Sequence, residues 1–341
     1  MDNNELADAL PPGTVLGGKY AVSRCLGVGG MGAVYEAQNT WTGRRVAVKL
    51  LRPSLAHNRE VVERFLQEAR AASRIPHPNI VEVLDVGEDA ALRSYYIVQE
   101  FLDGMDLAQW TETRGAIPPA EAVAIITPVM SALVAVHEAG IVHRDIKPEN
   151  VFLAVGRHGE MVPKLIDFGV SKVRDGGAGQ RGMTQTGLAI GTPEYMSPEQ
   201  ARGDADVDAR SDVWSMGVML YQLLTGRTPH DAATQTLLLV AIITERPIPI
   251  DRVVPSLPRE LVSVVNRALQ MDRAQRFQSM REFLDALSAC PVHDDDVIAP
   301  HDPVPLLAQA QDRYDGALAI EYLQRGPTEW RLRLVRTTPP V

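Results

Sequence analysis

Apolar and polar positions alternate on either side of Gly27 and again through Arg45-Val46-Ala47-Val48-Lys49-Leu50-Leu51, which predicts two strands of a hairpin-rich sheet. The period then changes. Over residues 59–73, Val62, Phe65, Leu66, Ala69 and Ala72 recur at three- and four-residue steps, while Arg59, Glu60, Glu63, Arg64 and Arg70 fall outside that face, the pattern of an amphipathic helix. After His77-Pro78-Asn79 the segments 80–86 and 95–101 return to strand patterning and complete a small sheet that carries one helix. Beyond Asp103-Gly104 the pattern is helical, over 120–139, 211–226, 234–244, 260–271 and 279–289. The expected fold class is therefore α+β, with a small antiparallel-sheet lobe and a larger, mainly helical lobe.

Between those helices, residues 143–203 are dense in Gly, Pro and charge, the composition of loops that carry chemistry. From Pro291 the chain turns to Asp and Pro, including Asp294-Asp295-Asp296, and reads as a linker. In the tail, Leu306, Leu307, Ala310, Tyr314, Ala317, Leu318 and Tyr322 fit one helical face, and Trp330-Arg331-Leu332-Arg333-Leu334 alternates as a strand does; a small docking element and a disordered tail both fit.

A chain of 341 residues, 45% hydrophobic and 23% charged, can bury a sizeable core, and its net charge of -9 argues against general nucleic-acid binding. Cys25 and Cys290, far apart, do not make a disulfide framework. Residues 1–12 lack a basic segment followed by an apolar one, and the apolar windows 216–224 and 236–243 are too short to cross a bilayer. The expectation is a cytoplasmic protein with no transmembrane segment.

Candidate chemistry begins at Leu26-Gly27-Val28-Gly29-Gly30-Met31-Gly32-Ala33-Val34-Tyr35, which lies between predicted strands and so is not a dinucleotide fingerprint. Glycines there let a hairpin lie close over phosphates, and they equally suit a flexible turn. Lys49 is a lone cation in an apolar strand, where a snorkelling lysine is the ordinary reading; Glu68, on the next helix, could hold its ammonium against phosphates. The most specific segment is His143-Arg144-Asp145-Ile146-Lys147-Pro148-Glu149-Asn150, followed by Asp167-Phe168-Gly169. Asp145 could orient an attacking hydroxyl and accept its proton, Asn150 and Asp167 offer hard oxygen donors to Mg²⁺, and Lys147 adds positive charge beside a phosphoryl in transfer.

Together these segments are the protein-kinase signature set. Over roughly residues 20–289 the sequence resembles the eukaryotic-like serine/threonine kinases of bacteria, most narrowly in Gly29-Gly30-Met31-Gly32, Phe65-Leu66-Gln67-Glu68-Ala69, His77-Pro78-Asn79-Ile80-Val81 and Gly191-Thr192-Pro193-Glu194-Tyr195-Met196-Ser197-Pro198-Glu199-Gln200. The resemblance implies an extension over 1–19, a bilobal kinase domain over 20–289 (lobes about 20–102 and 103–289) and a tail over 290–341. It implies ATP in a cleft with a hinge at Glu100 to Leu102, Val34 and Ala47 above the adenine and Phe152 below, and Leu26 to Gly32 over the phosphates. Mg²⁺ is the implied ion, with Mn²⁺ its substitute.

Lys147 after Asp145, with Thr192, implies serine and threonine hydroxyls of proteins as acceptors. The resemblance also implies that Glu199 pairs with Arg276 and that Asp212 anchors the catalytic loop. Gln99 departs from the apolar gatekeeper usual in the group. Thr184 and Thr186 lie where the family is commonly autophosphorylated, Arg144 is the implied partner of a phosphothreonine, and a homodimer through the small lobe is permitted. Two rivals are an ATP-binding pseudokinase scaffold, which usually accompanies loss of residues that are present here as Lys49, Asp145 and Asp167, and a small-molecule phosphotransferase, against which the long 169–199 segment argues.

Overall fold

The computed structural model describes residues 10–156, 159–167, 193–292, 317–326 and 329–337, the last two as backbone. The chain divides into two units, Met1–Asp103 and Gly104–Val341.

The first unit holds β1 (Val15–Leu16), β2 (Tyr20–Val28), β3 (Gly32–Asn39), β4 (Arg45–Leu51), α1 (Arg59–Ser73), β5 (Val83–Asp89) and β6 (Ser94–Glu100). Its strands form one sheet in the order β1-β2-β3-β4-β6-β5, with every neighbouring pair antiparallel. Period-two alternation in β4 buries Val46, Val48 and Leu50 with Tyr20, Val22, Tyr35 and Val98, and leaves Ala47 and Lys49 half-buried on the other side. Asn58 caps α1 by accepting from the N–H groups of Glu60 and Val61. Phe65 and Ala69 of α1 pack on Leu51 and Ile97; burying a phenyl ring in this way contributes roughly 2–3 kcal/mol and sets the rotation of the helix.

The strand expected over 80–86 begins only at Val83. Ile80 and Val81 are buried, at 3% and 2% exposure, yet they follow the turn at Pro78-Asn79, Ile80 as an isolated bridge and Val81 outside any strand, so their apolar character records burial and not membership of a strand. The hairpin with β6 carries the strand on through polar Gly87-Glu88-Asp89 instead.

The second unit contains β7 (Gly104–Asp106), α2 (Leu107–Arg114), α3 (Pro119–Glu138), β8 (Val151–Val155), β9 (Glu160–Leu165), α4 (Pro198–Arg202), α5 (Arg210–Thr225), α6 (Gln235–Thr244), α7 (Ile250–Val253), α8 (Arg259–Ala268), α9 (Met280–Ser288), β10 (Ala317–Gly326) and β11 (Glu329–Thr337). Helices α3 and α5 form its core, α3 through Ile125, Ile126, Val129, Met130 and Leu133, and α5 along nearly its whole length. The long apolar helix of the chain is thus α3, not the windows at 216–224 and 236–243. By length and composition α3 could cross a membrane, but 67% of its apolar window is buried inside the fold.

A second sheet runs β10-β11-β9-β8-β7. β10 corrects the expected helical face from Ala317 onward; its earlier members, Leu306, Leu307, Ala310 and Tyr314, lie outside the described residues. Ala317, Leu318 and Tyr322 lie on a strand, because in the pairing with β11 the alternating Leu318, Ile320 and Tyr322 stand opposite Arg336, Leu334 and Leu332.

Candidate active site

In the first unit the glycine run forms the β2–β3 hairpin. Gly27 stands opposite Val34 and Val28 opposite Ala33, and the turn closes through the Gly29 N–H donating to the Gly32 carbonyl at 2.7 Å. The glycines are not equivalent. A Cβ on Gly32 would lie 1.9 Å from the Leu50 carbonyl oxygen, so β3 needs glycine there to approach β4. A Cβ on Gly27 or Gly30 meets no described atom within 4 Å, and one on Gly29 comes only within 3.9 Å of the Gly32 oxygen. None of these three has the positive φ that would otherwise call for glycine. The fold itself therefore does not demand glycine at 27, 29 and 30, whereas a ligand lying against the backbone would.

Leu26 is exposed, and Met31 and Val34 are half-buried. β3 and β4 set Val34 opposite Lys49, and β4 and β6 set Ala47 opposite Gln99. The packing of α1 brings Glu68 Oε2 to 3.5 Å from Lys49 Nζ, with the two side chains 12% and 18% exposed. At the end of β6 the Glu100 carboxylate accepts from the Glu82 N–H at 2.9 Å, followed by half-buried Phe101 and Leu102.

In the second unit the catalytic loop hangs from one carboxylate. Asp212, fully buried in the first turn of α5, accepts from the backbone N–H of His143 and of Arg144, each at 2.8 Å, and lies 2.8 Å from His137 Nε2. Burial alone would raise the Asp212 carboxyl, but the hydrogen bond and charge of His137 hold it below the usual carboxylate range. Burial likewise pushes the His143 imidazole down, against the pull of Asp212. Arg144 takes a φ of 64°, rare for a non-glycine residue, and its carbonyl accepts from Gln200 Nε2 at 2.9 Å.

Held this way, Asp145 Oδ2 lies 3.7 Å from Lys147 Nζ and 3.3 Å from Asn150 Nδ2, which also donates to the Asp145 carbonyl at 2.7 Å. A 3₁₀ turn, Pro148–Asn150, leads into β8, while β9 leads into Asp167. Val151 pairs with Leu165, and the Ile166 N–H donates to the Asn150 carbonyl at 3.0 Å. The two proposed metal ligands thus sit at one end of one ladder. They offer two oxygen donors, which suits Mg²⁺, an ion that usually keeps several waters and completes its octahedron with substrate phosphates. Phe152, half-buried on β8, pairs with Asp106 and Lys164.

The Arg144 guanidinium donates to the Val207 carbonyl at 2.9 Å, and among the described residues its Nε is buried with no hydrogen-bond partner. Thr184, Thr186 and Thr192 lie outside the described residues. Glu199 receives Arg276 at 2.7 and 2.9 Å and Ser211 Oγ at 2.7 Å. Burial would raise its carboxyl, and Arg276 brings it below the usual range. Ser197, where the family pattern has alanine, caps α4 and bonds Ser211.

Sequence reasoning missed His137 and Gln200. A single histidine in the last turn of a helix carries no signal beyond a favourable dipole contact, and Gln200 reads as an ordinary helix surface residue.

A model of the protein kinase domain matches residues 20–286. The chain belongs to the protein kinase family. A second family model, described as an uncharacterized conserved protein (DUF2249), matches residues 296–336. The kinase pkn2 of Myxococcus xanthus, a serine/threonine-protein kinase by name, is 41% identical over 281 residues, 82% of this chain and 33% of the relative. Pkn1 of the same organism, also named a serine/threonine-protein kinase, is 39% identical over 313 residues, 91% of this chain and 42% of the relative. The chain therefore spans well under half the length of these two relatives. The crystal structure of the Mycobacterium tuberculosis PknI kinase domain aligns with a TM-score of 0.63 at 33% identity, over 82% of this chain and 98% of that one. These matches place the chain among the bacterial eukaryotic-like serine/threonine kinases, with the α+β protein kinase fold.

Proposed function

We propose that the chain transfers the γ-phosphoryl group of Mg-ATP to serine or threonine hydroxyls of proteins, and that it phosphorylates its own activation segment. The observation that carries this reading is the catalytic loop. Asp145, the proposed base, has Lys147 and Asn150 beside its carboxylate on a backbone that Asp212 fixes from the helical core. Fixed geometry matters because phosphoryl transfer gains most of its rate from positioning and charge.

Asp145 orients the hydroxyl and accepts its proton, and Lys147 balances negative charge on the transferring group. Lys49, steadied by Glu68, binds the α- and β-phosphates, and the backbone of Leu26 to Gly32 covers them. Val34, Ala47, Glu100, Leu102 and Phe152 serve the adenine. Asn150 and Asp167 are the residues that would hold Mg²⁺ or Mn²⁺, which neutralises phosphate charge when bound.

The domain limits proposed are 1–19, 20–289 and 290–341, and the compartment is the reducing cytoplasm, in keeping with free Cys25 and Cys290. Arg144, whose buried Nε has no hydrogen-bond partner among the described residues, is the receiver for a phosphorylated Thr184 or Thr186, and transfer between two copies in a homodimer delivers that phosphate. The test is to incubate the purified chain with labelled ATP and Mg²⁺ and then map the modified residues. Phosphoserine or phosphothreonine that disappears in Asp145→Asn supports the reading; nucleotide binding with no transfer would replace it with an ATP-binding scaffold.

A further inference from the structure

Among the described residues β9 would, without the tail, be the outer strand of a three-stranded sheet, and an outer strand offers its edge to another strand. The structure covers that edge with the chain's own C-terminus. β11 runs antiparallel to β9, with Leu332 opposite Met161 and Arg333 opposite Glu160, and β10 completes the hairpin outside it. Pairing stops short of Pro163, which has no N–H with which to extend a ladder. The same β9 is laddered to β8 from Met161 to Leu165 and continues directly into Asp167, while β8 begins directly after Asn150. One sheet therefore joins the tail hairpin to both proposed metal ligands. All of the hairpin but Thr337 also lies in the segment 296–336 that matches a family model separate from the kinase domain, which sets it apart from the catalytic part of the chain.

We propose that this C-terminal hairpin is a regulatory clamp in cis, which orders β9 by strand addition and thereby lowers the Mg²⁺ concentration at which the catalytic unit works. A strand paired on both sides opens less often than one paired on a single side. The residue at its end is therefore placed for metal more of the time, and a partner that pulled the hairpin away would weaken the kinase without touching its catalytic residues. The Mg²⁺ part of this inference rests on the kinase reading; the order it gives β9 does not.

The test uses the full chain and Leu332→Pro, which removes a backbone N–H from the β11 strand where it meets β9. Amide exchange in residues 160–162 should quicken at least tenfold, exchange in Val151–Val155 should hold, and the Mg²⁺ concentration for half-maximal turnover should rise threefold or more. Thr337→Pro, at the hairpin end opposite Ala317 and away from β9, should leave 160–162 protected. Wild-type exchange in 160–162 of Leu332→Pro overturns the clamp, as does faster exchange there with an unmoved Mg²⁺ requirement. Absence of ATP turnover in the wild-type chain counts against the kinase reading alone, because exchange in β9 needs no nucleotide.

Discussion

Asp145 shares its surroundings with Lys147 and Asn150, so an amide at 145 keeps the shape of the loop and removes the proposed proton acceptor. Asp145→Asn is expected to lower turnover by about a thousandfold while nucleotide affinity stays within a few-fold. Steady-state kinetics at saturating Mg-ATP decides this, and near-wild-type turnover would reject the base. Lys49 and Glu68 call for a different design. In the proposed mechanism Glu68, largely buried and 3.5 Å from Lys49, acts only by steadying that lysine. Lys49→Met should therefore cost about a hundredfold or more, Glu68→Ala less, and the double variant no more than Lys49→Met alone. Independent, multiplying effects in that cycle would show that Glu68 does not act through Lys49.

The glycine hairpin separates two uses of one residue type within a single element. Gly32→Ala drives a Cβ against the Leu50 carbonyl and should destabilise the fold by about 3 kcal/mol. Gly30→Ala finds open space among the described residues and should keep its urea midpoint while weakening nucleotide binding; a lowered midpoint there would mean that the glycine serves the fold. Helix α1 was legible from its amphipathic period alone, and the structure adds the capping asparagine, Asn58, that fixes its start. The catalytic loop was legible because its chemistry is packed into eight consecutive positions, His143 to Asn150. β10 was not, since a few apolar residues satisfy periods of 3.6 and of 2 alike until a partner strand chooses between them. Nor was the anchoring of the loop by His137, whose 75-residue separation from Asp212 leaves no local pattern.

For the chain as a whole, acid stability should follow its buried imidazoles. Burial lowers His77, His143 and His230, so the unfolded chain takes up protons near pH 6.5 while the folded chain does so only at lower pH. Stability from this source is complete above about pH 6.5 and declines as pH falls below it. Glu199 and Asp212, depressed in the folded state, add a further loss below about pH 4. Urea midpoints should fall between pH 7 and pH 5, and a flat profile across that range would refute the assignment. The hydrogen bonds from the catalytic loop to Asp212 have a mechanical meaning as well. Arg144 at φ 64° sits about 1–3 kcal/mol above relaxed backbone and is kept there by a carboxylate rooted in α5 and steadied from α3 by His137. The helical core thus works as the fixed end of a bent spring whose free end is Asp145, the proposed base. Asp212→Asn would loosen the fixed end, and Arg144→Gly, free to adopt the same φ without strain, would remove the tension. In the wild type the strain released on losing the anchor offsets part of the cost, so the destabilisation caused by Asp212→Asn should be larger in an Arg144→Gly background than in the wild type, and equal losses of urea midpoint in the two backgrounds would show that no tension is stored in the loop.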